Sequence, residues 1–398
     1  MPQTDILLIG VDGGATEVKA HAAACADFDR LTDLALRPET AARVYPRRPD
    51  FSPRPVPEQL AERDAGPLRL PAAEQEQGAL WIAAAVETVV EVARAAGARR
   101  VLVGVGMPGL KTPDGRGIHV INNGPRMPDY LAQLERGLAA AGLELAAPIA
   151  ALGSDADYCG LGEEYAADGL FRDVSSAYYM GGGTGIADAL KLQGALVPLD
   201  QTKAWLLKAW QIPSALGATF EKLVSASALN RVWAGLCGHA DDTAAARRFP
   251  EVAARNGHPA AATWLDTAAL VLAELIHERL ATIYGGRAAA PHRGEAYAQL
   301  AVDHPYRGLV LDRVIIGQRI GLLYADPQYH ALFAARLDRH LAALLADGPD
   351  PALARAYLGE NEELRPGLVV ASRLRAAPAL GAAVAALRAR REQPAGKP

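Results

Sequence analysis

The stretch Ile6-Leu7-Leu8-Ile9-Gly10-Val11-Asp12-Gly13-Gly14-Ala15-Thr16-Glu17-Val18-Lys19 decides how the chain is read. Its apolar run from Ile6 to Val11, broken only by Gly10, predicts a strand buried on both faces. The strand ends on a carboxylate, Asp12. Gly13 and Gly14 then allow a tight turn and close backbone approach to a ligand, with Thr16 and Lys19 following on a returning strand. Backbone amides, a hydroxyl and an acid that can hold hydrated magnesium are what a triphosphate needs. An ordinary glycine hairpin fits the same residues, so the reading depends on a second phosphate loop.

A second loop follows the strand Val174-Ser175-Ser176-Ala177-Tyr178-Tyr179-Met180, as Gly181-Gly182-Gly183-Thr184-Gly185. Three glycines leave a strand and a threonine follows, so Gly182, Gly183, Thr184 and Gly185 repeat the arrangement of Gly13, Gly14 and Thr16. Neither run is a GxxxxGKS or GKT phosphate loop or a dinucleotide fingerprint. Two strand-glycine-turn units a domain's length apart predict two similar lobes gripping a triphosphate.

Between the loops, Gln75 to Ala96 predicts a helix with Leu80, Ile82, Val86, Val89, Val90 and Val92 on its apolar surface. The strand Arg100 to Gly106 then runs into Pro108 and Gly109, at the carboxyl end of a strand, where open sheets place ligands. Asn122 and Asn123 offer two carboxamides that can read a substrate hydroxyl, and Asn-Gly is equally a turn. A short strand, Pro148 to Leu152, delivers Gly153-Ser154-Asp155-Ala156-Asp157 to the start of a helix. A carboxylate there can accept the proton of an attacking hydroxyl, or it can cap the helix. Asp155 is preferred to Asp157 because it lies closer to the strand terminus.

The 398 residues, 50% of them hydrophobic, suffice for two cores. A net charge of -4 argues against a nucleic-acid partner. Cys25, Cys159 and Cys237 are too scattered for a disulfide framework or a thiol metal knuckle. The first strand begins near residue 5 with no signal-peptide pattern, and no run approaches 18 uninterrupted apolar residues, so no membrane partner and a cytoplasmic location are expected. Residues 45 to 72 carry Pro46, Pro49, Pro53, Pro55 and Pro57 among arginines, and predict a long surface excursion serving as lid, subunit contact or tolerated insertion.

Taken in order, these motifs resemble the ROK sugar kinase family of the actin, Hsp70 and hexokinase superfamily, over most of the chain. Asp12 to Lys19 resembles its first phosphate motif, Gly104 to Gly109 its strand and loop before the sugar, and Ile121 to Pro125 its sugar-facing asparagine segment. Ser154 to Asp157 occupies the place of its Asn-Asp catalytic motif, Gly181 to Ile186 its second phosphate motif, and Val314 to Gly321 its adenosine motif. The resemblance implies an α/β, two-lobed, actin-like ATPase (ribonuclease H-like) fold with ATP and acceptor in an interlobe cleft. It implies a first lobe at 1–152 with an insertion at about 21–74, a second at 153–376, and a terminal helix, 377–398, packing back on the first. The γ-phosphoryl group of ATP would pass to a hydroxyl of a sugar, amino sugar or cyclitol, with Asp155 as general base. Asp12 would hold Mg2+ through water, Gly13, Gly14, Thr16, Lys19, Gly182, Gly183, Thr184, Gly185, Gly317 and Gln318 would bind the nucleotide, and Pro108, Gly109, Asn122, Asn123, Ser154 and Asp155 the acceptor.

Departures from the family shape the rest of the expectation. Asp200, Gln201 and Lys203 stand near the place of its Glu-x-Gly-His sugar contact, and no cysteine cluster follows. Cys237-Gly238-His239 offers only two ligands, so no structural zinc is predicted. Ser154 replaces an asparagine and Gln318 interrupts a glycine-rich turn. Asp200 and Gln201 are candidate replacement contacts, and an acceptor other than unmodified glucose is expected. A homodimer is compatible with the reading. An actin-like ATPase that assembles, and a sugar or nucleotide sensor without turnover, are the alternatives. For the sensor, no segment for a helix-turn-helix domain precedes the first strand.

Overall fold

The chain divides into two compact units, one formed by Met1–Gly169 with Ala376–Pro398 and the other by Leu170–Arg375. The computed structural model describes residues 6–27, 31–239, 249–289 and 294–392.

In the first unit, β1 (Leu7–Gly13) pairs antiparallel with β2 (Glu17–Ala24), which pairs antiparallel with β3 (Ala35–Val44). On its other side β1 runs parallel to β4 (Arg100–Gly106), and β4 carries β7 (Glu144–Leu145) at one end and β8 (Leu152–Gly153) at the other. The short hairpin β5 (Leu110–Lys111) and β6 (Ile118–Val120) stands apart from this sheet. Helix α1 (Val56–Ala65) packs on β6, while α2 (Ala72–Ala95) packs on the sheet and on α3 (Tyr130–Ala140). Against β1 and β4 also lies the C-terminal helix Ala377–Glu392, which packs on α4 (Asp155–Tyr165). Helices on both faces explain why Leu7, Leu8, Ile9 and Val11 are all buried.

Gly10, the one interruption in that apolar run, has a steric reason. A Cβ at Gly10 would lie 1.8 Å from the carbonyl oxygen of Ala379, and one at Gly104 1.8 Å from that of Ala382. The two glycines let the C-terminal helix rest its backbone directly on the strands.

Two expectations need correction. The span 21–74 is no insertion into the first sheet: it contains the end of β2 and all of β3, the sheet's edge. Within the proline-rich segment α1 forms because Pro55 is its N-cap and Pro57 sits in the first turn, where a missing N–H costs no helical hydrogen bond. The division between units falls at Gly169/Leu170 rather than 152/153, because α4 belongs with the C-terminal helix.

The second unit repeats the strand pattern. β9 (Ala177–Gly182) pairs antiparallel with β10 (Ile186–Leu192), which pairs antiparallel with β11 (Ala195–Val197). On its other side β9 runs parallel to β12 (Arg313–Gly317), itself parallel to β13 (Val369–Ala371). Helices α5 (Leu199–Thr202), α6 (Phe220–Val224), α7 (Ala226–Leu236), α8 (Pro250–Arg255), α9 (Pro259–Gly285), α10 (Glu295–Ala298), α11 (Gln318–Ala325), α12 (Ala335–Ala346) and α13 (Pro351–Tyr357) complete it.

By length and composition α9 is the described helix that could cross a membrane, yet here it forms the centre of this unit's core. It also carries buried Glu278 and Arg279; the guanidinium reaches Glu278 at 2.7 Å and Asp188 at 3.3 Å, and Tyr178 Oη donates to Asp188 at 2.5 Å.

Candidate functional site

The candidate residues of the first unit gather at the carboxyl edge of its sheet. Asp12 of β1 stands beside Gly106 of β4, and Gly106 beside Gly153 of β8. Asp155, the first residue of α4, follows Gly153 by two positions. Asp12 is therefore about 10 Å from the strand that launches Asp155, two strand spacings along one edge. Tyr158 of α4 fits beneath this edge: a Cβ at Gly153 would fall 1.9 Å from its ring, and one at Gly106 2.9 Å away.

Asp12 is half-buried, and its carboxyl is pushed up to about 6, first by burial and then by the charge of Asp155, against the opposing pull of Lys19. Lys19 lies directly across the hairpin from Asp12 and forms an ion pair with Glu17 at 2.7 Å. Asp155 is half-buried, and one of its oxygens accepts from the Ala156 amide at 3.0 Å. Ser154, the N-cap residue of α4, makes no side-chain capping bond. Two acids thus share one sheet edge, close enough for the charge of Asp155 to raise the Asp12 carboxyl, an arrangement that a hydrated divalent cation would relieve.

The turn between β1 and β2 is closed by the Gly14 amide, which donates to Glu17 O at 2.9 Å, and braced by Tyr45 N donating to Thr16 O at 2.9 Å. The Gly14 amide is therefore engaged in the turn. At the exposed tip, the amides of Ala15 and Thr16 have no partner among the described residues, and the Thr16 hydroxyl stands beside them. Gly13 serves close packing instead, since a Cβ there would lie 1.9 Å from Met107 Sδ.

Pro108 and Gly109 follow β4, Gly109 at φ +94° with its carbonyl accepting from Lys111 Nζ at 2.9 Å. Asn122 and Asn123 are exposed, and neither side chain has a hydrogen-bond partner among the described residues. The backbone on either side of them is buried, at Ile121 and Arg126.

In the second unit the turn after β9 follows the same design. Gly183 N donates to Gly185 O at 3.0 Å, which leaves the amides of Thr184 and Gly185 as the donors without a partner among the described residues. Gly182 is closely packed, with Ile320 Cγ1 2.2 Å from where its Cβ would stand. Two side chains border the turn, Gln318, which the sequence reading assigned to the nucleotide, and Glu221, which it did not. Glu221 of α6 accepts from Ile186 N at 2.9 Å, and the Gln318 carboxamide lies over it, with Oε1 2.3 Å from a Cβ built at Gly183.

Gln318 holds a left-handed backbone at φ +56°, directly after Gly317, the residue paired with Gly181. Such a conformation costs a non-glycine residue about 1–2 kcal/mol. The position matching Asp12 in this sheet is Gly181, so the acid belongs to the first unit alone.

Asp200 stands apart from this turn in its contacts. Its exposed carboxylate is held by Lys203 at 2.9 Å and Lys208 at 3.3 Å, and Gln201 beside it is exposed on α5. Among the described residues no group of three or more His, Cys, Asp or Glu is arranged to hold a metal ion.

No protein-family model matches the chain, and no curated protein matches it by sequence. Solved structures do match along nearly its whole length. A ROK hexokinase from Thermus thermophilus is 17% identical, covers 97% of this chain and 99% of its own, and superposes with a TM-score of 0.52. A ROK family glucokinase from Streptomyces griseus, solved with glucose and AMPPNP, is 16% identical over 95% of this chain and 98% of its own, with a TM-score of 0.53. A ROK family transcriptional regulator, a homolog of the E. coli MLC protein, is 12% identical over 96% of this chain and 79% of its own, with a TM-score of 0.52. The fold is therefore the α/β, two-lobed, actin-like fold of these proteins.

Proposed function

We propose that this chain, which has the fold of the ROK sugar kinases, is an ATP-dependent kinase that phosphorylates a hydroxyl of a sugar, amino sugar or cyclitol. The observation that carries the reading is the pair Asp12 and Asp155 at one sheet edge, beside a hairpin tip with free donors. Asp155 holds the acceptor hydroxyl and takes its proton as the oxygen attacks the γ-phosphorus; the new O–P bond forms as the bridging bond to ADP breaks. The amides of Ala15 and Thr16 and the Thr16 hydroxyl donate to phosphate oxygens; in the second unit the amides of Thr184 and Gly185, beside Gln318, form a like set of phosphate donors. Asp12 fits Mg2+ bound through water, which supplies charge neutralisation to the phosphates. Lys19 moderates the charge of Asp12 rather than neutralising it.

On the acceptor side, Asn122 and Asn123 present free carboxamides, with Pro108, Gly109 and Ser154 as flanking contacts. Asp200, already held by two lysines, is a poor replacement for the family's sugar contact. The proposed acceptor is a hydroxylated ring other than unmodified glucose. Each polar contact made or left unmet is worth about 1–3 kcal/mol in such discrimination.

The test is an ATP-consumption screen across sugars, amino sugars and cyclitols, with mass spectrometry of the product. Asp155→Asn is expected to keep the fold and ATP affinity while lowering acceptor-dependent turnover about 100-fold or more. Near-wild-type turnover in Asp155→Asn removes that residue from its role, and a specificity constant for glucose far above all others overturns the acceptor. The shared fold of the transcriptional regulator keeps a second reading in view: saturable sugar binding with no Asp155-dependent product would make this chain a sensor. ATP-driven polymer growth in light scattering, with hydrolysis indifferent to any polyol, would make it an assembling ATPase.

A further inference from the structure

The exposed pair Asn122–Asn123 is held from both sides by buried polar side chains that come from the proline-rich segment and the start of α2. On the leading side, Gln59 of α1 is 1% exposed and engages both backbone groups of Ile121: Ile121 N donates to Gln59 Oε1 at 2.9 Å, and Gln59 Nε2 donates to Ile121 O at 2.8 Å. The same Nε2 reaches Arg54 O at 2.8 Å. On the trailing side, Arg126 is 1% exposed and meets Glu74 three times, through its amide at 3.0 Å, Nε at 2.8 Å and Nη2 at 2.7 Å. Its Nη1 reaches Glu62 of α1 at 2.5 Å. Gly124, between them, packs on Trp81, whose ring stands 2.5 Å from where a Cβ would be.

A surface turn of the sequence Asn-Asn-Gly needs none of this. Two fully buried amide bonds and a forked carboxylate-guanidinium contact fix the backbone before and after two side chains that are left with nothing to bind. Rigid support of free carboxamides is what recognition of one hydroxyl pattern requires, since a displaced loop costs orientation before it costs affinity for a generic polyol. Gln59 and Glu62 come from the stretch whose role composition leaves open.

We infer that Gln59, together with Arg126 and its partners Glu62 and Glu74, is a positioning device that sets acceptor specificity by fixing Asn122 and Asn123. The inference rests on the proposed kinase reading. It assigns residues 45–72 to the acceptor site, as the frame of its recognition loop.

The test compares wild type with Gln59→Leu, which keeps size and loses both bonds to Ile121 and the one to Arg54 O, on the best acceptor and its epimers. The expected result is at least a tenfold rise in acceptor KM, a kcat within about threefold of wild type, an unchanged ATP KM and a flattened preference among epimers. Gln59→Glu, which keeps an acceptor for Ile121 N, should recover part of the loss. Hydrogen exchange should rise at Ile121 and its neighbours in Gln59→Leu. If that variant does not fold, Glu62→Gln, which leaves the Glu74 contacts in place, is expected to raise acceptor KM about threefold with the same pattern. Unchanged acceptor KM and epimer preference, or equal loss of kcat on every acceptor, overturns the positioning role. A wild-type chain that gives no Asp155-dependent product overturns the kinase reading instead, and is distinguished by the wild-type control alone.

Discussion

Asp12 joins burial, a neighbouring acid and a turn with unengaged amides, and its titration is the most direct test of the proposed site. Its carboxyl sits at about 6 when folded against 3.8 as its ordinary value, so the folded state binds a proton between these values that the unfolded state releases. Two consequences of opposite sign follow. This group favours the folded state increasingly as pH falls from 7 towards 4, whereas metal binding through its carboxylate weakens over the same range. An acid limb near pH 6 is expected in Mg2+ affinity at low nucleotide, measured by calorimetry. Asp155→Asn removes the second cause of the shift, so the limb should move to lower pH; a limb that stays put would separate the two acids. The placement of Asp12 and Asp155 at strand ends was legible from the apolar runs before them. The left-handed Gln318 was not, because a backbone torsion imposed by packing leaves no mark on residue type.

Elements show where glycine does steric work, and the structure ranks the consequences. At Gly13 an added methyl meets the flexible end of Met107, whereas at Gly182 it meets the branched stem of Ile320, with Cβ 2.8 Å away. At Gly10 it meets a helix backbone, which cannot rotate aside. Gly13→Ala, which needs Met107 to move and whose Cβ would stand 3.0 Å from the Gly106 carbonyl, should therefore cost least, and Gly182→Ala should cost about 1–3 kcal/mol. Gly10→Ala should cost the most, read from chemical denaturation midpoints. Equal losses at Gly13 and Gly10 would contradict the packing described.

Both glycine runs were readable as turns, and of the residues whose amides the turns leave unengaged, Thr16, Thr184 and Gly185 were named from sequence and Ala15 was not. Gly14 and Gly183 close their own turns, so the free N–H groups belong to the residues after them. Helix α1 was hidden by its prolines, although Pro55-Val56-Pro57-Glu58 is a readable start: proline in the first turn, then an acid near the helix N-terminus. The burial of Gln59 and Glu74 leaves no mark on the sequence, because partners distant in the chain decide it.

At the scale of the molecule, Arg126 and the C-terminal helix each tie distant parts of the first unit together. Arg126→Ala would leave Glu74 buried without its cation, a loss on the order of 3–5 kcal/mol, detectable as a lowered unfolding midpoint. Arg126→Ala with an unchanged midpoint would mean that the bridge adds nothing to folding.

The C-terminal helix has a further consequence. Its seat on Gly10 and Gly104 is assembled from residues near the two ends of the described chain, with all of the second unit threaded between them. Synthesis is vectorial, and domains fold as their residues emerge. A ribosome-bound chain arrested after residue 375 would therefore present a contiguous second unit able to fold, and a first unit with β1 and β4 bare on the face awaiting that helix. Protease pulses on such arrested chains should cut the older, N-terminal segment first and spare the younger one, reversing the usual order in which a nascent protein becomes resistant.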